Sequence, residues 1–133
     1  MQISKPRLIE PLIIVSIIII GAFIFFNAKN VHLKFYNKTG EDIDSLIVAG
    51  TYVGKIKKDS ATEFIQFKKL LFENGIPYDE ITGIIKNRKV YKLNMGGFCA
   101  SGKTMVQEAE FSFNISLREN DGKTFLILNN FYD

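Results

Sequence analysis

Residues 12–26 (LIIVSIIIIGAFIFF) are fifteen consecutive positions without a charge, and Ser16 is the only hydrogen-bonding side chain among them. A helix on the surface of a soluble domain keeps one polar face. This segment has none, so any helix it forms must be surrounded by apolar material on all sides. At a rise of 1.5 Å per residue the run spans roughly 22 Å, which is short of a bilayer. Extended to 8–28 it reaches roughly 30 Å, the thickness of the hydrocarbon layer. Pro11 is tolerated because the first helical turn has no use for its missing N–H, and Glu10 lies near the end, within reach of the headgroups. The pattern predicts a short N-terminal tail over 1–7 and a transmembrane signal anchor over 8–28.

A cleaved signal peptide is the competing reading, and the basic start (Lys5, Arg7) suits it. It lacks the small-x-small cleavage pattern, since Phe26 stands where a small residue is needed before a cut after Ala28. No cysteine stands directly after the run, which excludes a lipoprotein anchor. Lys5 and Arg7 precede the segment and Lys29, Lys34 and Lys38 come after it, so the positive-inside count does not choose an orientation. The short tail is the usual layout of an anchor that exports the chain behind it. That places the remainder outside the cytoplasm, as a bacterial inner-membrane protein with a periplasmic domain.

Behind the anchor there are fifteen basic and thirteen acidic residues, an ordinary solubilising mixture. The net charge of +3 leaves no electrostatic footprint for nucleic acid. One Cys and one His exclude an internal disulfide framework and a Cys/His zinc site.

The apolar pattern of this region has period 2. In Val31-His32-Leu33-Lys34-Phe35-Tyr36 the residues Val31, Leu33 and Phe35 share a face. In 111–117 four apolar side chains alternate with Ser112, Asn114 and Ser116. Turns are expected at Asn37-Lys38-Thr39-Gly40, at Gly50 and at Asn120-Asp121-Gly122, the last a strong hairpin signal. A hairpin is also expected between 81–86 and 90–95, with Tyr91, Leu93 and Met95 on one face and Lys92 and Asn94 on the other. Residues 60–74 are ambiguous. Ser60 and Glu63 match a capping box and Gly75 suits a helix C-cap, whereas the aromatic and β-branched content favours strand. The whole predicts an all-β domain over 29–133, an antiparallel β-sandwich of about seven to eight short strands with Ig-like architecture.

The pattern Asn37-x-Thr39-Gly40-x-x-Ile43-Asp44-Ser45-Leu46, then Gly54-Lys55-Ile56, resembles small membrane-anchored β-sandwich proteins of Bacteroidota-type bacteria over residues 31 to 70. The resemblance implies the architecture and brings no active residue with it.

Gly97-Phe98-Cys99-Ala100-Ser101-Gly102-Lys103-Thr104 satisfies the P-loop pattern. Its chemistry requires a parallel strand before the loop, a helix N-terminus after it and an Asp for Mg²⁺. The 29 residues after Thr104 read as strands instead, so Gly97, Gly102, Lys103 and Thr104 are a chance match in this reading. Cys99 beside Lys103 could be a reactive thiol, but the single His32 is far away and there is no second Cys to resolve a disulfide.

Other clusters have bland explanations. Glu41, Asp42 and Asp44 match no EF-hand loop, and Lys55, Lys57 and Lys58 read as a solvated strand end. Asn37-Lys38-Thr39 and Asn114-Ile115-Ser116 are glycosylation acceptors by pattern only. No catalytic residue, cofactor or metal is expected. The leading expectation is a non-enzymatic accessory or binding module for another envelope protein, in contact with the lipid bilayer and with no nucleic acid. The alternatives are a small P-loop or thiol-dependent enzyme centred on 97–104, and an immunity-like protein neutralising a toxin at the membrane.

Overall fold

The computed structural model describes residues 9–27, 30–93 and 102–131. The expected tail over 1–7, Met95, and the Gly97 and Cys99 end of the P-loop-like motif lie outside the described residues. The first element is a helix, α1 (Ile9–Asn27). Its large side chains from Leu12 to Phe26 are all more than half exposed, on every side of the helix. Among the described residues no helix is long and apolar enough to cross a membrane. The expected span over 8–28 is therefore not reached by α1 itself. Its 19 residues extend about 28 Å, and Glu10 and Pro11 occupy the first turn, so the unbroken apolar part is shorter still.

The remainder is β-structure: β1 (Val31–Asn37), β2 (Ile43–Val48), β3 (Thr51–Ile56), β4 (Ile65–Phe67), β5 (Leu70–Glu73), β6 (Ile76–Pro77), β7 (Ile81–Ile85), β8 (Arg88–Lys92), β9 (Thr104–Val106), β10 (Ala109–Asn120) and β11 (Lys123–Asn130). Eight of these strands form one sheet in the order β3-β2-β7-β8-β11-β10-β1-β4, and β6-β5-β9 form a smaller sheet. The fold is all-β, as the alternation predicts. Two details differ from expectation. The described residues form eleven strands in place of seven or eight, and the large sheet is mixed: β1 runs parallel to β10 and β8 parallel to β11. Period-2 patterning specifies which face of a strand is buried and leaves its neighbours open, so partners distant in sequence are invisible to it.

Four two-residue hairpin loops set the registers. Ala49-Gly50, Asn74-Gly75, Lys86-Asn87 and Asp121-Gly122 all have both central residues at positive φ. That is the turn whose twist matches the right-handed twist of paired strands. Lys86-Asn87 carries no glycine, which is why the sequence pattern of 81–95 suggests a later turn. With Ile85 paired to Arg88, Val90 falls opposite Gly83 on the inner face, Val90 is buried and Tyr91 faces out. The face that carries Tyr91 is thus the outer one, and Lys92 points inward in register with Leu126.

The ambiguous stretch 60–74 is strand, broken into β4 and β5 by a bend at Lys68-Lys69. Phe67, Leu70 and Phe72 are buried and Phe64 is not. The core is one cluster on the inner face of the large sheet, joined by Leu70 and Phe72 of the small sheet. Val31, Leu33 and Phe35 on β1 and Phe113 and Ile115 on β10 are buried in one apolar cluster with residues of β2, β7 and β11. Phe72 of the small sheet packs against Phe111 and Phe113, with ring centroids 4.9 and 6.4 Å away. Each such fully buried side chain contributes about 1.5–3 kcal/mol.

Candidate functional site

The turn after β1 is built by one side chain. Asn37 is completely buried, and its amide donates to the carbonyls of Glu41 at 2.8 Å, Ile56 at 3.0 Å and Lys57 at 3.1 Å. Its Oδ1 accepts from the Thr39 amide at 3.0 Å and the Thr39 hydroxyl at 2.7 Å. The Asn37-x-Thr39-Gly40 pattern is thus a folding device that ties the end of β1 to the end of β3. A side-chain nitrogen committed in this way is closed to glycosylation. In the second such pattern, Asn114 holds a buried Oδ1 with no hydrogen-bond partner.

The acidic cluster beside this turn is occupied by cations. Lys55 Nζ lies 3.3 Å from Asp42 and 3.2 Å from Asp44, and Lys86 Nζ lies 2.6 Å from Glu41. Asp42 also accepts the Lys58 amide at 2.8 Å. That bond first, and Lys55 second, hold its carboxyl below the ordinary value of 3.8, while the two aspartates, Asp44 first, raise Lys55 above 10.5. Among the described residues no group of His, Cys, Asp and Glu is placed to hold a metal ion. His32 sits half-buried on β1 between Gln66 and Glu110 in the ladder.

Of the P-loop-like motif, Gly102, Lys103 and Thr104 are described, Gly102 as an exposed residue ahead of the strand. Thr104 opens strand β9, which pairs antiparallel with β5, Thr104 lying opposite Phe72. A strand therefore stands where a P-loop places the helix N-terminus that holds phosphate. Lys103 lies over the Tyr78 ring, its ammonium 3.8 Å from the centroid.

That contact belongs to a cleft of about 400 Å³ between the two sheets, lined by Glu73, Ile76, Pro77, Tyr78, Lys92 and Lys103 among others. Lys92 reaches across it and donates to the Pro77 and Tyr78 carbonyls. Burial pushes its ammonium below 10.5, against the opposing pull of Asp79 and Glu73. The Asp79 carboxylate in turn accepts the Leu71 amide at 2.9 Å. Sequence reasoning missed Lys92 because a lysine between Tyr91 and Leu93 reads as an outward residue. The acceptors that make an inward lysine tolerable are two carbonyls fourteen and fifteen residues away. Both cleft lysines are engaged by the protein itself, so the cleft reads as a strut between β8 and the end of β6.

The outer face of the large sheet is different. Tyr52 on β3, Ile47 on β2, Thr82 on β7 and Tyr91 on β8 form one cross-strand row by register, and Phe125 of β11 extends it. Thr82 is only 7% exposed although it points outward, whereas Tyr52 is 67% and Tyr91 47% exposed. Ile84 stands in the next row between Ser45 and Lys89, and Lys89 Nζ lies 5.1 Å from the Tyr91 ring. Aromatic and β-branched side chains on this face, with Lys89 at one rim, can bury area against another surface. Neither a protein-family model nor any curated protein matches the chain.

Proposed function

We propose that the chain is a membrane-anchored, non-enzymatic binding module. In this reading α1 holds it to the bilayer and the outer sheet face docks a second envelope protein. The observation that carries it is the exposed row of Tyr52, Ile47 and Tyr91 with Ile84 beside it, because solvated sheet faces are ordinarily polar and contiguous apolar patches mark contact sites. Lys89 at the rim favours a partner that sets a carboxylate beside the apolar patch. The anchor is supported by side chains that are apolar on all sides of α1 and left exposed by the described β domain. The β domain then lies outside the cytoplasm.

The docking surface is tested by photo-crosslinking from residues introduced at Tyr52 or Tyr91 in the full-length chain in its membrane, with Glu119 on the β10 strand as the control position. The same single adduct from both tyrosine positions and none from Glu119 is expected. No adduct from the tyrosine positions, or equal adducts from all three, overturns the docking face. Alkaline carbonate washing tests the anchor: retention in the membrane pellet is expected, and release refutes it.

A further inference from the structure

We infer that the cleft lined by Lys92 and Lys103 is a binding site for a small organic monocarboxylate with an apolar body. Its volume of about 400 Å³ falls within the range of small-molecule sites and exceeds the roughly 150 Å³ of an apolar cavity that takes up benzene. Part of its wall is hydrocarbon. Ile76, Leu93 and Leu128 line it, and Leu128 belongs to the buried core, so the cleft reaches down to that core. The other part is cationic. The Lys92 and Lys103 ammonium groups stand 5.8 and 3.8 Å from the centroid of the same ring, that of Tyr78.

The protein's own groups leave both cations without a carboxylate partner. An ammonium carries three protons, and Lys92 gives two of them to the Pro77 and Tyr78 carbonyls. Among the described residues no carboxylate lies within 4.0 Å of either lysine. Asp79, the acid that acts most on Lys92, is committed to the Leu71 amide at 2.9 Å. Lys92 is thus a half-buried cation whose lost hydration only two neutral carbonyls replace, and burial lowers its pKa. A carboxylate relieves that cost. Lys103 rests on the Tyr78 ring, which attracts the charge without supplying an acceptor oxygen. The third Lys92 proton and the Lys103 ammonium therefore remain available for charge-assisted hydrogen bonds to an anion. Glu73 is the remaining charged residue of the lining. It brings the cleft from two positive charges to one, which suits a monoanion and disfavours a dianion such as phosphate. The apolar wall of Ile76 and Leu128 then takes the carbon body, so charge and hydrocarbon are both needed.

The site is independent of the anchor and of the outer sheet face. The full-length chain in lipid nanodiscs is titrated with hexanoate, benzoate and 3-phenylpropionate, with the amide of each, and with inorganic phosphate. NMR follows the methyl groups of Ile76 and Leu128 and the side-chain Cε signals of the lysines. Saturable shifts at Ile76, Leu128, Lys92 and Lys103 are expected with at least one carboxylate, with binding at least tenfold weaker for its amide and for phosphate. The Lys92 titration midpoint should move upward when the carboxylate is bound, because an opposite charge favours the ammonium form. Lys103→Met removes one cation and leaves the Lys92 bonds in place; it should weaken the carboxylate at least fivefold. Glu73→Gln should strengthen it. No saturable shift with any of the three carboxylates overturns the inference, as do equal affinities for carboxylate and amide, phosphate binding as tightly as the carboxylates, or an unchanged affinity in Lys103→Met.

Discussion

Replacing Asn37 by alanine removes five hydrogen bonds from a completely buried position. The bonds are not equivalent. The Glu41 carbonyl keeps the Thr39 hydroxyl at 2.8 Å as a second donor, and the Lys57 carbonyl keeps the Ser60 amide and hydroxyl. The Ile56 carbonyl sits in the buried bond. Each intramolecular hydrogen bond contributes about 1 kcal/mol net, and an acceptor left buried and unpaired costs about 1–3 kcal/mol. With two of the three carbonyls retaining other donors, Asn37→Ala should cost about 2–4 kcal/mol. Asn37→Asp keeps the shape but aims a carboxylate oxygen at the carbonyls that the amide now serves, and should cost at least as much. Urea unfolding of the full-length chain in mild detergent, monitored by tyrosine emission and far-UV circular dichroism, measures both. A loss below about 0.5 kcal/mol for alanine, the floor for even one net hydrogen bond, or an aspartate variant more stable than the alanine one, would refute the reasoning.

Phe113→Ala should lose about 3–5 kcal/mol in the same assay, because Phe113 is fully buried and in ring contact with Phe35, Phe72 and Phe111; a cost under about 1 kcal/mol, far below that of a truncated core aromatic, would mean that the small sheet does not close the core. Burial depresses Lys92 below 10.5, so protonation weakens the folded state and the wild type should gain stability as pH rises through the depressed value towards 10.5. Lys92→Met lacks this gain, and denaturation series at rising pH should show the difference between the two proteins changing in the wild type's favour; a constant difference contradicts the assignment. Asp42 contributes stability that is fully present above 3.8 and is lost as pH falls through its lowered value. Carboxyl NMR titration should place its midpoint below 3.8, and Lys55→Met should raise that midpoint only part of the way because the Lys58 amide is the larger cause; a complete return to 3.8 would reverse the order of causes.

Much of the fold is local information. The inward faces of β1 and β10 arise directly from alternation in 31–37 and 111–117, and Asp121-Gly122 specifies its own hairpin through two residues that accept positive φ. The apolar character of α1 is equally a property of composition, since its fifteen uncharged residues leave no polar face to turn towards water. Lys86-Asn87 shows where local signals run out: without a glycine the turn is hidden, and a displaced turn reverses which of Val90 and Tyr91 faces the core.

Three things were decided only by tertiary structure. The parallel pairings of β1 with β10 and β8 with β11 join strands far apart in sequence, and no local pattern encodes a neighbour. The buried Asn37 looks like a turn residue until its amide meets carbonyls at the end of β3, nineteen and twenty residues away. The exposed row on the outer face exists because strands β3, β2, β7 and β8 lie side by side in one register. Each of its residues is, in its own strand, an ordinary outward side chain, and a patch is a property of neighbours across strands rather than along one.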